Sequence, residues 1–297
     1  MVSTRQDTLI HLFCLVDEFC QLFMPEWQKH LFKNRLIKRH RKTQLSPSEI
    51  MTIYIHFHQS HYRDFKNYYI FYVQKHLKPL FPSLVSYPRF VTLIKSVIVP
   101  LCFFLQTLKG EKRGIYFVDS LLLKVCHIKR EKQHKVFKNF AKKSKSSVGW
   151  FFGFKLHLVI NDKGELMAFK VTAGNVGDRK PVVDLTKKLI GKLFGDKGYI
   201  SNKLTEELFS KNIRLITRVK KNMKNKFLPL IDKILLQKRA VIESVNDQLK
   251  NICQIEHSRH RSIWNFTANI LAALCAYSLQ PKKPSIYLQL NKCLTKI

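Results

Sequence analysis

The sequence has 297 residues, 45% hydrophobic and 25% charged, a balance that supports a sizeable core and excludes wholesale disorder, a collagen-like chain or a small disulfide scaffold. Its 53 Lys and Arg against 20 Asp and Glu give a formal net charge of +33, and the excess runs through the whole length, which excludes a single basic tail. Such a chain repels itself and gains from a polyanion, so nucleic acid leads; a solvated basic surface or a membrane-surface protein is the other use of the charge.

Seven scattered cysteines without a CxxC pair point to a reducing compartment. The N-terminal residues are polar and Asp17-Glu18 interrupts the apolar positions that follow, so no signal peptide is expected. The apolar stretch from Ile94 to Leu108 holds Lys95, Pro100 and Gln106 and is shorter than the ~20 residues of a membrane span, so a buried core helix and a cytoplasmic protein are expected.

In chain order, residues 1–109 read as helical. Ser46-Pro47-Ser48-Glu49 is a capping box with Pro at the first helical position, starting a helix to about His61. Further helices are expected over 65–77 and 89–108. Lys33 to Lys42 holds six basic residues in ten. This region reads as a helix-turn-helix-like DNA-binding domain or as a packing domain. His56, His58 and His61 read as exposed helix residues.

All ten glycines fall between Gly110 and Gly198, so strands and turns begin there. Ile115–Val118 is an apolar run ending on Asp119. Gly149–Asn161 is a strand that breaks at the turn Asp162-Lys163-Gly164, with Leu166–Val171 as its partner. A helical pattern over 180–190, a short strand Lys192–Gly195 ending at Asp196, a helix near 201–211 and a strand Ile213–Val219 follow. Strands alternating with helices predict a mixed α/β sheet flanked by helices over 110–297. From Pro229 helices return; Ile242, Val245, Leu249 and Ile252 share one face, and a last helix runs from Trp264 to Leu279.

With so few acids, each needs a reason. Asp119 and Asp196 each close a short apolar run, and ligands collect at strand ends in open α/β sheets, although a turn or cap role fits the same position. Arg239, Glu243, Asn246 and Lys250 fall on one helical stripe beside the apolar face; an i,i+4 surface pair of Arg239 with Glu243 fits equally well. Three carboxylates on such a scaffold have the chemistry to hold two Mg²⁺ ions, with Mn²⁺ as a substitute, and to cut a phosphodiester.

The order Asp119, Asp196, Glu243 resembles the Asp-Asp-Glu triad of insertion-sequence transposases with a ribonuclease H-like core. Arg239, Glu243 and Lys250 fit the last three positions of the Tyr-Arg-Glu-Lys signature of the insertion sequence 4 group; Leu236 stands where that signature has Tyr. The closest resemblance, from about Asp119 to Ser285, is to the insertion sequence 982 family of bacterial transposases. It is carried by VCHIKR, HKVFKNFAKKSKSSVGWFFGFKLHLVINDKGE, GNVGDRKP, GKLFGDKGYIS, IESVNDQLKNICQIEHSRHRS and QPKKPSI. The chain departs from the pattern at Leu121-Leu122-Leu123 and at Gly177. The resemblance implies metal-binding Asp119, Asp196 and Glu243, with Lys250 and Arg239 on phosphate. It implies terminal inverted repeats and target DNA as partners, strand hydrolysis followed by strand transfer, and at least a homodimer to hold two ends in the bacterial cytoplasm. A nuclease without strand transfer, or a decayed DNA-binding copy, keeps the same residues.

Lys124 to Lys145 holds nine basic residues and one acid, Glu131. Lys129, Arg130, Lys132, Lys135, Lys138, Lys142, Lys143 and Lys145 are expected on DNA, as are Lys220 and Lys221 in the second cluster that includes Arg218, Lys224 and Lys226; a solvated loop is the plain alternative. Asn175 and Asp178 read first as turn residues, with support of the carboxylate site from behind as the alternative. Trp150, Phe151 and Phe152 read as core, with base stacking as the alternative, and Cys253, His257 and His260 supply too few ligands for structural zinc.

Overall fold

The computed structural model describes residues 2–39, 43–146, 149–219, 227–256 and 260–286. In chain order come α1 (Val2–Lys33), α2 (Pro47–Gln59), α3 (Phe65–Asn67), a π-helical stretch Tyr68–Val73, α4 (Gln74–His76), α5 (Tyr87–Leu93), a 3-10 turn Ile94–Val97 and α6 (Ile98–Thr107). Next are β1 (Ile115–Cys126), a 3-10 turn Ile128–Arg130, β2 (Lys142–Ser146), β3 (Gly149–Asn161) and β4 (Leu166–Ala173). Then follow α7 (Val182–Leu185), β5 (Gly191–Gly195), a 3-10 turn Lys197–Tyr199, α8 (Asn202–Phe209) and β6 (Ile213–Thr217). The chain continues with α9 (Leu230–Gln237), α10 (Ala240–Asp247), a π-helical stretch Gln248–Ile252 and α11 (Ile263–Ser278).

The chain divides into a helical unit, Met1–Leu108 with Gln248–Leu279, and a sheet unit, Lys109–Asp247 with Gln280–Ile297. The first break falls between Leu108 and Lys109. The expected inclusion of every C-terminal helix in the 110–297 domain does not hold, because α11 packs on α2 and α6 of the helical unit. Its alanines 268, 272, 273 and 276 are wholly buried and allow that close approach.

In the helical unit the capping box forms as read: the Ser46 hydroxyl accepts from Glu49 N–H at 3.1 Å, and Glu49 Oε2 accepts from Ser46 N–H at 2.7 Å. The helix it starts is buried on every side, from Ile50 through His58. His56 and His58 are therefore core residues and not exposed ones: His56 Nδ1 lies 2.7 Å from the Tyr68 hydroxyl, and His58 Nδ1 lies 2.6 Å from the Cys253 carbonyl. His61, just past the helix, is exposed at φ 61°. Two helical runs, Asp7–Lys33 and Tyr87–Thr107, are long and apolar enough to cross a membrane by length and composition. In the second, Phe90, Leu93, Val97, Leu101 and Leu105 are buried within the unit, as in a core helix.

The sheet runs β2-β3-β1-β5-β6, with β4 also paired to β3. β3 is antiparallel to β1, β2 and β4, whereas β5 is parallel to β1 and β6. This is the mixed α/β sheet flanked by helices expected from the sequence. β2 and β4 share one edge of β3, because β2 pairs as far as Gly153 and β4 begins at Phe154. The chain leaves that edge at Gly174, where a Cβ would sit 2.7 Å from the Lys142 carbonyl oxygen.

One face of the sheet buries Tyr116, Val118, Val159 and Leu193 under Val182, Leu185, Leu204 and Leu208 from α7 and α8. By strand alternation Phe117 and Phe194 belong to the other face; α10 packs on β1 and α9 on β5 and β6. The helical pattern over 180–190 yields only the four-residue α7. Leu189 still reaches the core from the turn that follows.

Candidate active site

β1 does not end at Asp119. It continues to Cys126, because β3 supplies backbone partners along the whole run, including Leu158 opposite Asp119 and Leu156 opposite Leu121. Leu121 and Leu123 are buried, so the leucine departure is a core feature. What does end near Asp119 is the pairing with β5, whose last register pair is Phe117 with Phe194, rings stacked at 5.4 Å. Two residues beyond that pair stand Asp119 on one strand and Asp196 on the other. The parallel register thus delivers both aspartates to the same step of the sheet. Asp196 follows β5 in extended backbone, is exposed, and accepts from Lys197 N–H to cap the next 3-10 turn.

The third carboxylate comes from α10. Val241, Ile242 and Val245 bury one face of this helix, which leaves Glu243 56% exposed at its side chain and Asn246 at the core rim. Asn246 Nδ2 donates to Asp119 Oδ2 at 2.9 Å. Glu243 pairs with Arg239 one turn earlier, the i,i+4 pair read from the sequence. Burial raises the Asp119 carboxyl to about 6; the Ser120 N–H and Arg239 oppose the rise, and the charges of Glu243 and Asp196 add to it. The three acids and Arg239 therefore share one electrostatic environment.

Two groups complete it. Burial raises the Tyr199 phenol, and Asp119, Asp178 and Asp196 push it further while Arg239 pulls it down. Its hydroxyl has no hydrogen-bond partner among the described residues. Asp178 is fixed by Lys155, whose Nζ lies 3.0 Å from Oδ1 and 3.1 Å from the Val176 carbonyl. His157, buried beside this pair with Nδ1 3.9 Å from Asp178 Oδ1, is lowered to about 4 by desolvation. Asp178 is thus more than a turn residue. Sequence reasoning missed Tyr199 and Lys155; the signals were a Tyr three residues after Asp196 and a Lys alternating with His inside an apolar strand.

Other expected residues fall elsewhere. Lys250 belongs to the helical unit, where its Nζ lies 3.4 Å from Glu256 Oε1. Lys129, Arg130, Lys132, Lys135, Lys138, Lys142, Lys143 and Lys145 are all exposed, over the buried anchors Phe137 and Ala141. Lys142 to Ser146 is the strand β2 and not a loop. Lys220, Lys221, Lys224, Lys226 and His257 lie outside the described residues. Phe151 and Phe152 are core as expected, but Trp150 is not: it is 56% exposed.

Among the described residues no three His, Cys, Asp or Glu side chains converge as a metal cage. The donor set itself suits a hard dication: all oxygen, mutually repelling, with Asp119 raised in part by charges that a cation would offset. Glu243 is held by Arg239 instead of joining the aspartates at one point.

A family model described as a transposase DDE domain matches residues 109–263, just over half of the chain. No curated protein matches. Among solved structures, the chain is similar to a piggyBac transposase in a cryo-EM synaptic complex with hairpin DNA. The identity is 10% and the TM-score 0.44, covering 81% of this chain and 69% of that one.

Proposed function

We propose, from the premise that this chain belongs to the transposase DDE domain family, that Asp119, Asp196 and Glu243 are the catalytic carboxylates of a DNA transposase. The observation that carries the assignment is the parallel register that sets Asp119 and Asp196 two residues past Phe117 and Phe194, with Glu243 acting on the charge of Asp119. We assign the chain to the insertion sequence 982 family of bacterial transposases, on the segments from VCHIKR to QPKKPSI. Its site of action is the cytoplasm, where the DNA is.

The reaction has two stages. Water attacks a phosphodiester at the element's terminal repeat, the P–O3′ bond breaks, and the proton balance leaves a 3′-hydroxyl and a 5′-phosphate. That hydroxyl then attacks a phosphodiester in target DNA, forming one P–O bond and releasing a target 3′-hydroxyl. Asp119, Asp196 and Glu243 would hold two Mg²⁺ ions, which would supply Lewis-acid stabilisation of the attacking and leaving oxygens. Asn246 fixes the orientation of the Asp119 carboxylate. Arg239 compensates Glu243 before DNA arrives and turns to phosphate afterwards; Lys250 contacts phosphate too. The cations from Lys129 to Lys145 hold the flanking duplex, together with Lys220 and Lys221. Two copies are needed to hold two ends.

The test is cleavage of DNA bearing the element's terminal repeats, with Mg²⁺ or EDTA, by wild type and by Glu243→Gln. Metal-dependent nicking at the repeat boundary that disappears in the variant while binding persists supports the reading. Binding without cleavage under any divalent metal sinks the enzymatic assignment, and cleavage surviving in Glu243→Gln removes Glu243 from the triad.

A further inference from the structure

The basic edge of the sheet unit carries an aromatic that the catalytic assignment does not use. Trp150, at the start of β3, is 56% exposed, whereas its neighbours Phe151 and Phe152 are buried. The antiparallel register sets Lys145 opposite Trp150 and Lys143 opposite Phe152, so by strand alternation these four side chains share one face of the β2–β3 ribbon. Lys143 Nζ lies 5.1 Å from the Trp150 ring centroid, a cation–π contact. Glu131 stands 3.8 Å from the same Nζ. The face therefore presents a wide π surface flanked by two lysines, one of which, Lys143, pairs with Glu131.

An apolar protein partner has little to match on such a face. A nucleic acid strand matches both halves: phosphates meet the lysines, and a base meets the ring. A paired base in a duplex has its faces covered by its neighbours and offers the indole nothing to stack on. Away from a duplex terminus, only an unpaired base exposes a π face. Resting on the transposase reading, we propose that Trp150 is a stacking platform for an unpaired nucleobase, with Lys143 and Lys145 on the adjoining phosphates. The substrate this face recognises is DNA with a locally unpaired strand at or near its end, in contrast to the continuous duplex held by the rest of the basic segment.

The test uses the full chain with Trp27→Phe and Trp264→Phe, which leaves Trp150 as the sole tryptophan among the 3 in the sequence. Three DNAs are compared: a blunt duplex, the same duplex with a single-stranded thymidine extension, and the same duplex with an abasic extension. Quenching of Trp150 emission by the thymidine extension but not by the abasic one is expected. Affinity for the thymidine extension should exceed that for the abasic one by about tenfold, the order of one stacked base. Trp150→Leu should erase that difference, while Trp150→Phe, which keeps a π face, should retain most of it; circular dichroism of both variants checks the fold. Equal quenching and affinity for thymidine and abasic extensions overturns the platform, as does a Trp150→Leu variant that still discriminates. In either case, salt-dependent binding of the blunt duplex leaves the transposase reading standing. Failure of the wild-type chain to bind any of the three DNAs removes both.

Discussion

Asn246 Nδ2 donates to Asp119 Oδ2 at 2.9 Å, and through that one bond α10 sets the rotamer of a carboxylate on β1. Asn246 is buried and its own Oδ1 has no partner among the described residues, so the amide is oriented by this contact. Asn246→Ala should lower the cleavage rate by roughly 10- to 100-fold, the usual effect of removing a group that orients a metal-binding side chain. Asn246→Asp adds a charge beside Asp119 and should also move the acidic limb of the pH–rate profile upward. Single-turnover nicking across pH 5 to 9 measures both, and unchanged rates in both variants would remove Asn246 from the mechanism.

The segments that lead to the aspartates were legible as short apolar runs, Ile115–Val118 and Lys192–Gly195, each ahead of an aspartate. The continuation of β1 was not legible, since Asp119-Ser120 interrupts the pattern that Leu121 and Leu123 resume on the buried side. β2 was hidden for a different reason. Its sequence, KKSKS, has no apolar residue; it is a strand because the first half of β3 has an open backbone edge to satisfy. The face formed by Ile242, Val245, Leu249 and Ile252 was real in periodicity, and the first three are fully buried. Spacing could not say that the chain changes units between Asp247 and Gln248.

Acid should destabilise the chain through its buried histidines. Desolvation lowers His58 and His157 from 6.5 to about 4, so folding keeps them neutral while the unfolded chain protonates them near 6.5. The stability they allow is fully present above 6.5 and is lost as pH falls toward 4. Each group costs up to ~3 kcal/mol over that window, so urea midpoints should drop steeply between pH 7 and pH 4.5. His157→Gln should flatten part of that slope. Identical pH profiles for wild type and variant would mean that His157 is not held neutral by burial.

Binding of duplex DNA should be strongly salt-dependent, and the dependence should be traceable to β2. Lys142, Lys143 and Lys145 are exposed on one strand. Replacing all three with Gln should reduce the slope of log affinity against log salt by up to ~2.7, at about 0.9 for each phosphate no longer neutralised. Anisotropy titrations of a duplex carrying a single-stranded extension, over roughly 50 to 200 mM salt, read this directly. An unchanged slope would place these lysines away from the DNA.

Two glycines of the sheet unit should respond differently to alanine. At Gly153 a Cβ would lie 2.1 Å from the Leu123 carbonyl oxygen, a backbone atom of the neighbouring strand. That close approach coincides with the register shift between Lys124 and Cys126, where β1 bends across β3. Neither strand can move aside without breaking the ladder that carries Asp119, so Gly153→Ala should cost about 2–3 kcal/mol. At Gly177 a Cβ meets nothing within 4 Å. Gly177→Ala should stay within about 0.5 kcal/mol of wild type, although it adjoins Asp178. Urea denaturation of both variants at pH 7.5 gives the comparison. Equal midpoints would show that β1 and β3 relax around Gly153, and the rigidity invoked for the aspartate register would then be absent.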